Sequence, residues 1–267
     1  IAESAIVSAA FGASLTGMRP VAEFQFMDFI SCAHNQIVNM VAKANYRWSA
    51  PAPLVLRGPS GGGVSGGPFH SQNPETYYAH TPGLKVICPA TARDAKGLIK
   101  AAIRDNNPCL FFEHKFLYRR IKEDLPAEDY TVEIGKARIH REGRDVSVIT
   151  YAAMVYVAQE AADILAKEGI ELEILDLRTI APLDKEAIAN TVKKTNRAII
   201  LHEDTKTGGI AGEIAAVINE LAFDDLDAPI TRIASLDTPV PFSPPLEKFF
   251  LPKVEDVVRE ARRLRSY

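Results

Sequence analysis

The chain has little cysteine, no excess of positive charge and no long unbroken apolar run. Its three cysteines, Cys32, Cys88 and Cys109, are far apart and include no CxxC pair. That disfavours a disulfide framework or a zinc site and fits a reducing compartment. Lys and Arg number 31 against 34 Asp and Glu, for a net charge of −3. With no basic block or stripe, nucleic acid is not an expected partner. Charge or glycine interrupts every apolar run well short of membrane-spanning length, so no membrane partner is expected. Ile1-Ala2-Glu3-Ser4 has no preceding basic region and is not a signal peptide. The first residue stands directly in a helical pattern, and we expect a fragment of a longer polypeptide.

Of its 267 residues, 47% are hydrophobic and 24% charged, the composition of a globular protein. The length suits one large or two ordinary domains. Small apolar residues predict a buried helix over Ser4 to Leu15, stopped at Gly17. Alternation predicts a strand over Val21 to Phe26. A helix from about Phe29 to Tyr46 follows, with Asp28 as its cap. Strands are expected at 54–57, 84–88 and 109–113, a short helix at 74–78, and a helix over Ala92 to Arg104 capped by Thr91. From Phe116 to Arg144 charge density rises and apolar runs shorten. There we place the boundary between two domains, 1–125 and 126–267. A second alternation follows, with strands at 146–150, 172–177, 198–202 and 230–233. Its helices are expected at 155–167, 185–194, from Gly208-Gly209 to about Leu221, and 254–263. Strand-helix alternation at short intervals predicts α/β architecture, with two open, mostly parallel sheets.

One stretch stands out, Pro53 to Gln72. An apolar run, Leu54-Val55-Leu56, breaks into a loop with six glycines, at 58, 61, 62, 63, 66 and 67, and ends on His70-Ser71-Gln72. Gly61-x-Gly63-x-x-Gly66 matches the dinucleotide fingerprint in form, but Pro68-Phe69-His70 follows instead of a helix. A phosphate-binding P-loop fails because no Lys-Ser/Thr follows. The loop is therefore either a flexible surface connection or the edge of a small-molecule site. His70, beside it, can be a solvated histidine or an acid–base group. His34, His80, His114, His140 and His202 form no metal-ligating i, i+4 pair. Glu3 matters only if its helix is buried; it then stands at the ligand crevice of the sheet. Phe29 reads as core on pattern alone. Asp105 and Asn107 are turn formers first, although a turn with free carbonyls can hold a monovalent cation. His202-Glu203-Asp204 with Thr207-Gly208-Gly209 reads as an anion or partner contact, or equally as a plain helix cap.

Together these residues resemble one family along the whole chain. IAESAI, RPVAEFQFMDF, LRGPSGGG, FHSQNPE, HTPGLKVICP, DAKGLIKAAIRDNNP, ILDLRTIAPLD, HEDTKTGG and LDTPVPF carry the likeness. The chain is similar to beta subunits of the decarboxylating first component of 2-oxo acid dehydrogenase complexes, in the transketolase-like superfamily. HSQNPETYYAHTPG and NPCLFFEHKFLYR lean toward the branched-chain type, with the pyruvate and acetoin types close behind. The resemblance implies a thiamine pyrimidine-binding domain followed by a transketolase C-terminal-like domain. It implies that Glu3 hydrogen-bonds N1′ of the aminopyrimidine of thiamine diphosphate and favours its imino tautomer. Gln25 and Phe29 correspond to cofactor-binding positions, Phe29 to the aromatic that stacks on the pyrimidine. His70 corresponds to the histidine that assists acyl transfer to lipoamide. Leu54, Ala102, Ile103, Asp105 and Asn107 correspond to a potassium site.

The family's Gly-Asp-Gly motif, which holds the diphosphate and Mg²⁺, does not occur in this sequence. The resemblance assigns that role to an alpha subunit in an α2β2 heterotetramer, which serves a dihydrolipoyl acyltransferase core. The compartment would be the bacterial cytoplasm or the mitochondrial matrix. The family's leading helix and first strand have no counterpart here, so an open sheet edge is expected. Two rivals stand beside this reading: a non-catalytic assembly subunit, and a transketolase-like enzyme acting on sugars.

Overall fold

The computed structural model describes residues 1–267. In its first half run α1 (Glu3–Leu15), β1 (Val21–Glu23), α2 (Ala44–Trp48), β2 (Val55–Ser60), α3 (Glu75–Ala79), β3 (Lys85–Ile87), α4 (Ala92–Arg104) and β4 (Cys109–His114). The second half contains β5 (Arg138–Arg141), β6 (Val146–Thr150), α5 (Met154–Ala166), β7 (Leu172–Asp176), β8 (Thr179–Ala181), α6 (Lys185–Thr195), β9 (Ala198–Thr205), α7 (Ala211–Ala222), β10 (Thr231–Ser235), α8 (Pro244–Phe250) and α9 (Val254–Arg265). They form two five-stranded sheets, ordered β1-β2-β4-β3-β8 and β10-β9-β6-β7-β5. All pairings are parallel except those of β8 and β5, which run antiparallel at the two sheet edges. The fold class is α/β, as the alternation predicted.

Parallel strands buried on both faces need continuous apolar sequence. Val146–Thr150 and Leu172–Asp176 are buried at every position. α4 starts where Thr91 accepts the backbone N–H of Asp94 (3.1 Å), satisfying one of the free donors of its first turn. α1 ends at Gly17, whose φ of +93° few other residues accept.

Three expectations need correction. The expected regular helix over 29–46 is a 3₁₀ segment, Met27–Ala33, then a π segment, Gln36–Val41, then α2. Asp28 does not cap it, because its buried carboxylate accepts the backbone N–H of Gln72 (2.8 Å) instead. α1 is only partly buried: Val7, Ala10 and Ser14 face inward, Phe11 packs against the core half-buried, and Leu15 is exposed.

The halves share a core. One cluster contains Leu56, Val86 and Leu110 of the first half with Ile149, Leu175 and Ile200 of the second. β8 leaves the second half to pair with β3, Val86 opposite Ala181. Beside it the carbonyl of Arg178 accepts the Cys88 N–H (2.8 Å), and the Arg178 guanidinium meets Asp94 at 3.1 Å. β1 is the open edge of the first sheet, with Val21 44% exposed.

β2 and β4 run parallel in register, Val55 opposite Cys109 through Ser60 opposite His114. Their carboxyl ends therefore coincide. The glycine loop leaves β2 beside His114, at the end of the sheet where α/β folds place ligands.

Candidate active site

The glycine loop is held from below by carboxylates of the second half. The N–H of Gly62 donates to Glu203 Oε1 (2.6 Å). Those of Gly63 and Ser65 donate to the two oxygens of Glu247 (3.0 and 2.9 Å). Asn73 adds an amide donor to Glu203 Oε1 (2.8 Å), and Gly61 N–H closes the loop on the Gln72 carbonyl (2.8 Å). A phosphate cradle requires these N–H groups to be free. Here they are engaged, which removes the phosphate reading on structural grounds too. The glycines are needed for space. A Cβ on Gly61, at φ +84°, would lie 2.1 Å from His114 Nε2, and one on Gly67, at φ +69°, would lie 2.3 Å from the Phe242 ring.

His114 Nε2 and Glu203 Oε2 are 2.9 Å apart and sealed from solvent. Burial alone would push the Glu203 carboxyl up. The His114 ring, the Gly62 N–H and the Asn73 amide outweigh it and hold Glu203 down at about 2. The His202-Glu203-Asp204 run is thus neither anion site nor helix cap: Glu203 anchors the loop from within. His202 is buried against Gly209 and pushed down to about 4 by that burial.

His70, at the end of the loop, meets three other predicted residues. Glu3, Gln25, Phe29 and His70 line one pocket of about 310 Å³, with Ile1 and Phe26. Glu3 is the first residue of α1. Gln25 and Phe26 follow β1, where the Phe24 N–H extends the pairing to the Arg57 carbonyl (2.8 Å). Phe29 lies in the 3₁₀ segment, in which Met27, Ile30 and Ala33 take the core positions and leave Phe29 half-buried at the pocket. The core reading of Phe29 therefore fails for a local reason, the tighter helical turn. The His70 ring stands edge-on to Phe26 (4.8 Å, 89°) and to Phe29 (5.5 Å, 82°). The side chains of Glu3, Gln25 and His70 form no hydrogen bond within the chain. A carboxylate, an amide and an imidazole thus converge on a pocket with aromatic walls, which suits a flat heteroaromatic ring with a polar edge. A larger cavity, about 1140 Å³ between Ser31, Tyr78, Pro182 and Gly209, holds none of these residues.

The turn at 102–107 lies apart from the pocket. The Leu54 and Ala102 carbonyls accept Cys109 N–H (3.0 Å) and Asp105 N–H (3.3 Å). Those of Ile103 and Asp105 accept the Arg19 guanidinium (3.0 and 2.8 Å). The Asp105 carboxylate pairs with Lys85 and takes the Asn107 N–H (2.8 Å). Burial works against this carboxylate, but Lys85 and Asn107 hold it below the usual range. Each carbonyl keeps a second lone pair, but the Arg19 guanidinium already places a positive charge on two of these oxygens.

Sequence reasoning missed Phe26 as a pocket wall, and Asp28, Glu203 and Glu247 as supports. No local signal marks acceptors 141 and 184 residues from their donors. No group of three or more His, Cys, Asp or Glu side chains is placed to hold a metal ion. No helix is long and apolar enough to cross a membrane.

Comparison with known proteins supplies the family. The transketolase pyrimidine-binding domain matches residues 1–120, and the transketolase C-terminal domain matches residues 135–257. The chain is 51% identical to the 2-oxoisovalerate dehydrogenase subunit beta of Bacillus subtilis (strain 168), over 97% of this chain and 81% of that one. It is 44% identical to the pyruvate dehydrogenase E1 component subunit beta of the same organism, over 100% of this chain and 82% of that one. A solved structure described as a split gene transketolase, an inactive beta4 tetramer, shares the fold with a TM-score of 0.82 at 22% identity, over 100% of this chain and 82% of the other. The chain belongs to the transketolase-like family and, within it, to the beta subunits of the 2-oxo acid dehydrogenases.

Proposed function

We propose that this chain is the beta subunit of a thiamine diphosphate-dependent dehydrogenase of branched-chain 2-oxo acids, active only with an alpha subunit. The carrying observation is the convergence of Glu3, Gln25, Phe29 and His70 on one pocket. Bound thiamine diphosphate supplies the electron sink for decarboxylation. The chain supplies the surroundings of its pyrimidine. Glu3 offers a carboxylate to N1′, Phe29 an aromatic face and Gln25 an amide at the ring edge. His70, edge-on to Phe26 and Phe29, would hold or pass a proton in acyl transfer to a lipoyl group.

The glycine loop does not cradle the diphosphate, since its N–H groups at Gly62, Gly63 and Ser65 are bound to Glu203 and Glu247. We assign it, with Mg²⁺, to the alpha subunit in an α2β2 assembly that feeds a dihydrolipoyl acyltransferase core. Residues 1–125 form the pyrimidine-binding unit and 126–267 the C-terminal unit. We assign potassium to the turn of Leu54, Ala102, Ile103, Asp105 and Asn107, where it stiffens the end of α4.

The test is decarboxylation by this chain mixed with a cognate alpha subunit, thiamine diphosphate and Mg²⁺, comparing 3-methyl-2-oxobutanoate with pyruvate. Activity confined to the mixture and favouring the branched acid is the expected result. Preference for pyruvate overturns the substrate assignment. Silence with both acids, in a complex that has formed, overturns the enzymatic reading.

A further inference from the structure

Lys115 begins the turn after β4. Its Nζ is sealed from solvent and has no hydrogen-bond partner. A buried ammonium without a partner is costly and needs compensation. Three carboxylates act on it through their charge, none as an ion pair: Asp28 from the 3₁₀ segment, Glu203 from β9 and Glu247 from α8. Burial holds the ammonium below its usual value, and these three offset that in part. Each of the three also accepts backbone N–H groups from the loop that carries His70: Gln72 on Asp28, Gly62 on Glu203, Gly63 and Ser65 on Glu247. Glu203 has the His114 ring beside it, while Asp28 and Glu247 form no ion pair. Lys115 Nζ further lies 5.6 Å from the centre of the Phe26 ring, against which the His70 ring stands at 4.8 Å.

We propose that Lys115 is a positioning residue of the thiamine site: its buried charge balances the carboxylates that grip the glycine loop, and so fixes His70. The proposal rests on the reading of this pocket as the thiamine site. Lys115 touches no reacting group. It acts through Phe26 and through the loop, because buried carboxylates held by backbone N–H groups gain from a buried cation that offsets their charge. Since it makes no hydrogen bond, the charge matters and not a particular geometry. Arginine should therefore replace it, and removal of one facing carboxylate should compensate for its loss.

The test compares wild type, Lys115→Met, Lys115→Arg and the double variant Lys115→Met/Glu247→Gln, each assembled with the alpha subunit. Amide hydrogen exchange over residues 61–72 is read beside kcat and KM. In Lys115→Met the loop amides should exchange about tenfold faster. kcat should fall about tenfold, with KM for the 2-oxo acid within about twofold. Lys115→Arg and the double variant should recover most of both losses. Folding lost in Lys115→Met and regained in the double variant supports the same conclusion. The proposal is overturned by wild-type exchange in Lys115→Met, by a double variant no better than the single one, or by folding lost in both. Should the wild-type complex decarboxylate no 2-oxo acid, the functional reading falls, while loop exchange still decides the role of Lys115.

Discussion

Glu203, at the end of β9, accepts the backbone N–H of Gly62 at 2.6 Å across 141 residues of sequence. Through that bond the second sheet sets the conformation of the loop on which the first sheet presents His70. Glu203→Gln keeps an acceptor for Gly62 but leaves the buried His114 without its carboxylate. It should lower stability at pH 7 by about 3 kcal/mol, the worth of a carboxyl shifted from its usual value to about 2. The Glu203 carboxyl is depressed in the fold. Its contribution is present above about pH 4.5 and fades as pH falls toward 2. Urea unfolding of both proteins at pH 7 and pH 3 should show the gap narrowing in acid; a constant gap would contradict the electrostatic account.

Glu75 has the opposite sign. Burial first, then the Asp204 charge, push its carboxyl up to about 8, while the Tyr151 hydroxyl donates to it at 2.9 Å. A raised carboxyl costs stability as pH climbs from about 4.5 through 8, because only the unfolded chain releases the proton readily. Glu75→Gln keeps an acceptor for Tyr151 and cannot ionise. Its stability relative to wild type should rise between pH 5 and pH 8. A relative stability that falls over that range would reverse the assignment.

Gly61→Ala should be among the worst single-methyl additions in the molecule. The position has φ +84°, and the new Cβ would fall 2.1 Å from a buried imidazole that is itself held by Glu203. Backbone strain and overpacking together should cost roughly 2 to 4 kcal/mol. Gly169→Ala gives a control, with a similar φ of +79° and open space at its Cβ, and should cost about 1 kcal/mol. Equal losses in thermal unfolding would mean that the His114 contact does not matter.

His70→Ala separates catalysis from assembly. The His70 side chain forms no hydrogen bond within the chain, so its removal should leave the melting temperature and subunit assembly intact. Acyl transfer to lipoyl protein should fall by about 10² to 10⁴, the usual worth of a positioned acid–base group. A non-catalytic assembly subunit would lose nothing.

Much of the architecture was legible where local signals agreed. CLFFE, bounded by Asn107-Pro108, reads as a buried strand and forms β4. Thr91 and the turn after Arg104 set both ends of α4 as expected. β5 was missed because Arg138-Ile139-His140-Arg141 is an edge strand with little apolar content. β8 is three residues long, and its register comes from β3 of the first half of the chain, which no local pattern encodes. α8 opens on Pro244-Pro245, which reads as a break although proline is welcome in a first helical turn. The pocket residues were named through family motifs and not through periodicity, which assigned Phe29 to the core. Of the loop's partners, Asp28 read as a helix cap, Glu203 as part of an anion or partner contact or a helix cap, and Glu247 carried no signal. Only the tertiary fold brings them beneath the loop.

The most direct measurement of the central claim is the affinity of the assembled α/β complex for thiamine diphosphate, in wild type and in Glu3→Gln. The Glu3 side chain forms no hydrogen bond or ion pair within the chain, so the variant should assemble and melt like wild type. Its dissociation constant should rise about tenfold or more, the loss of one charge-assisted hydrogen bond, and decarboxylation should nearly vanish. An unchanged dissociation constant with full decarboxylation would show that the pocket of Glu3, Gln25, Phe29 and His70 does not receive the pyrimidine.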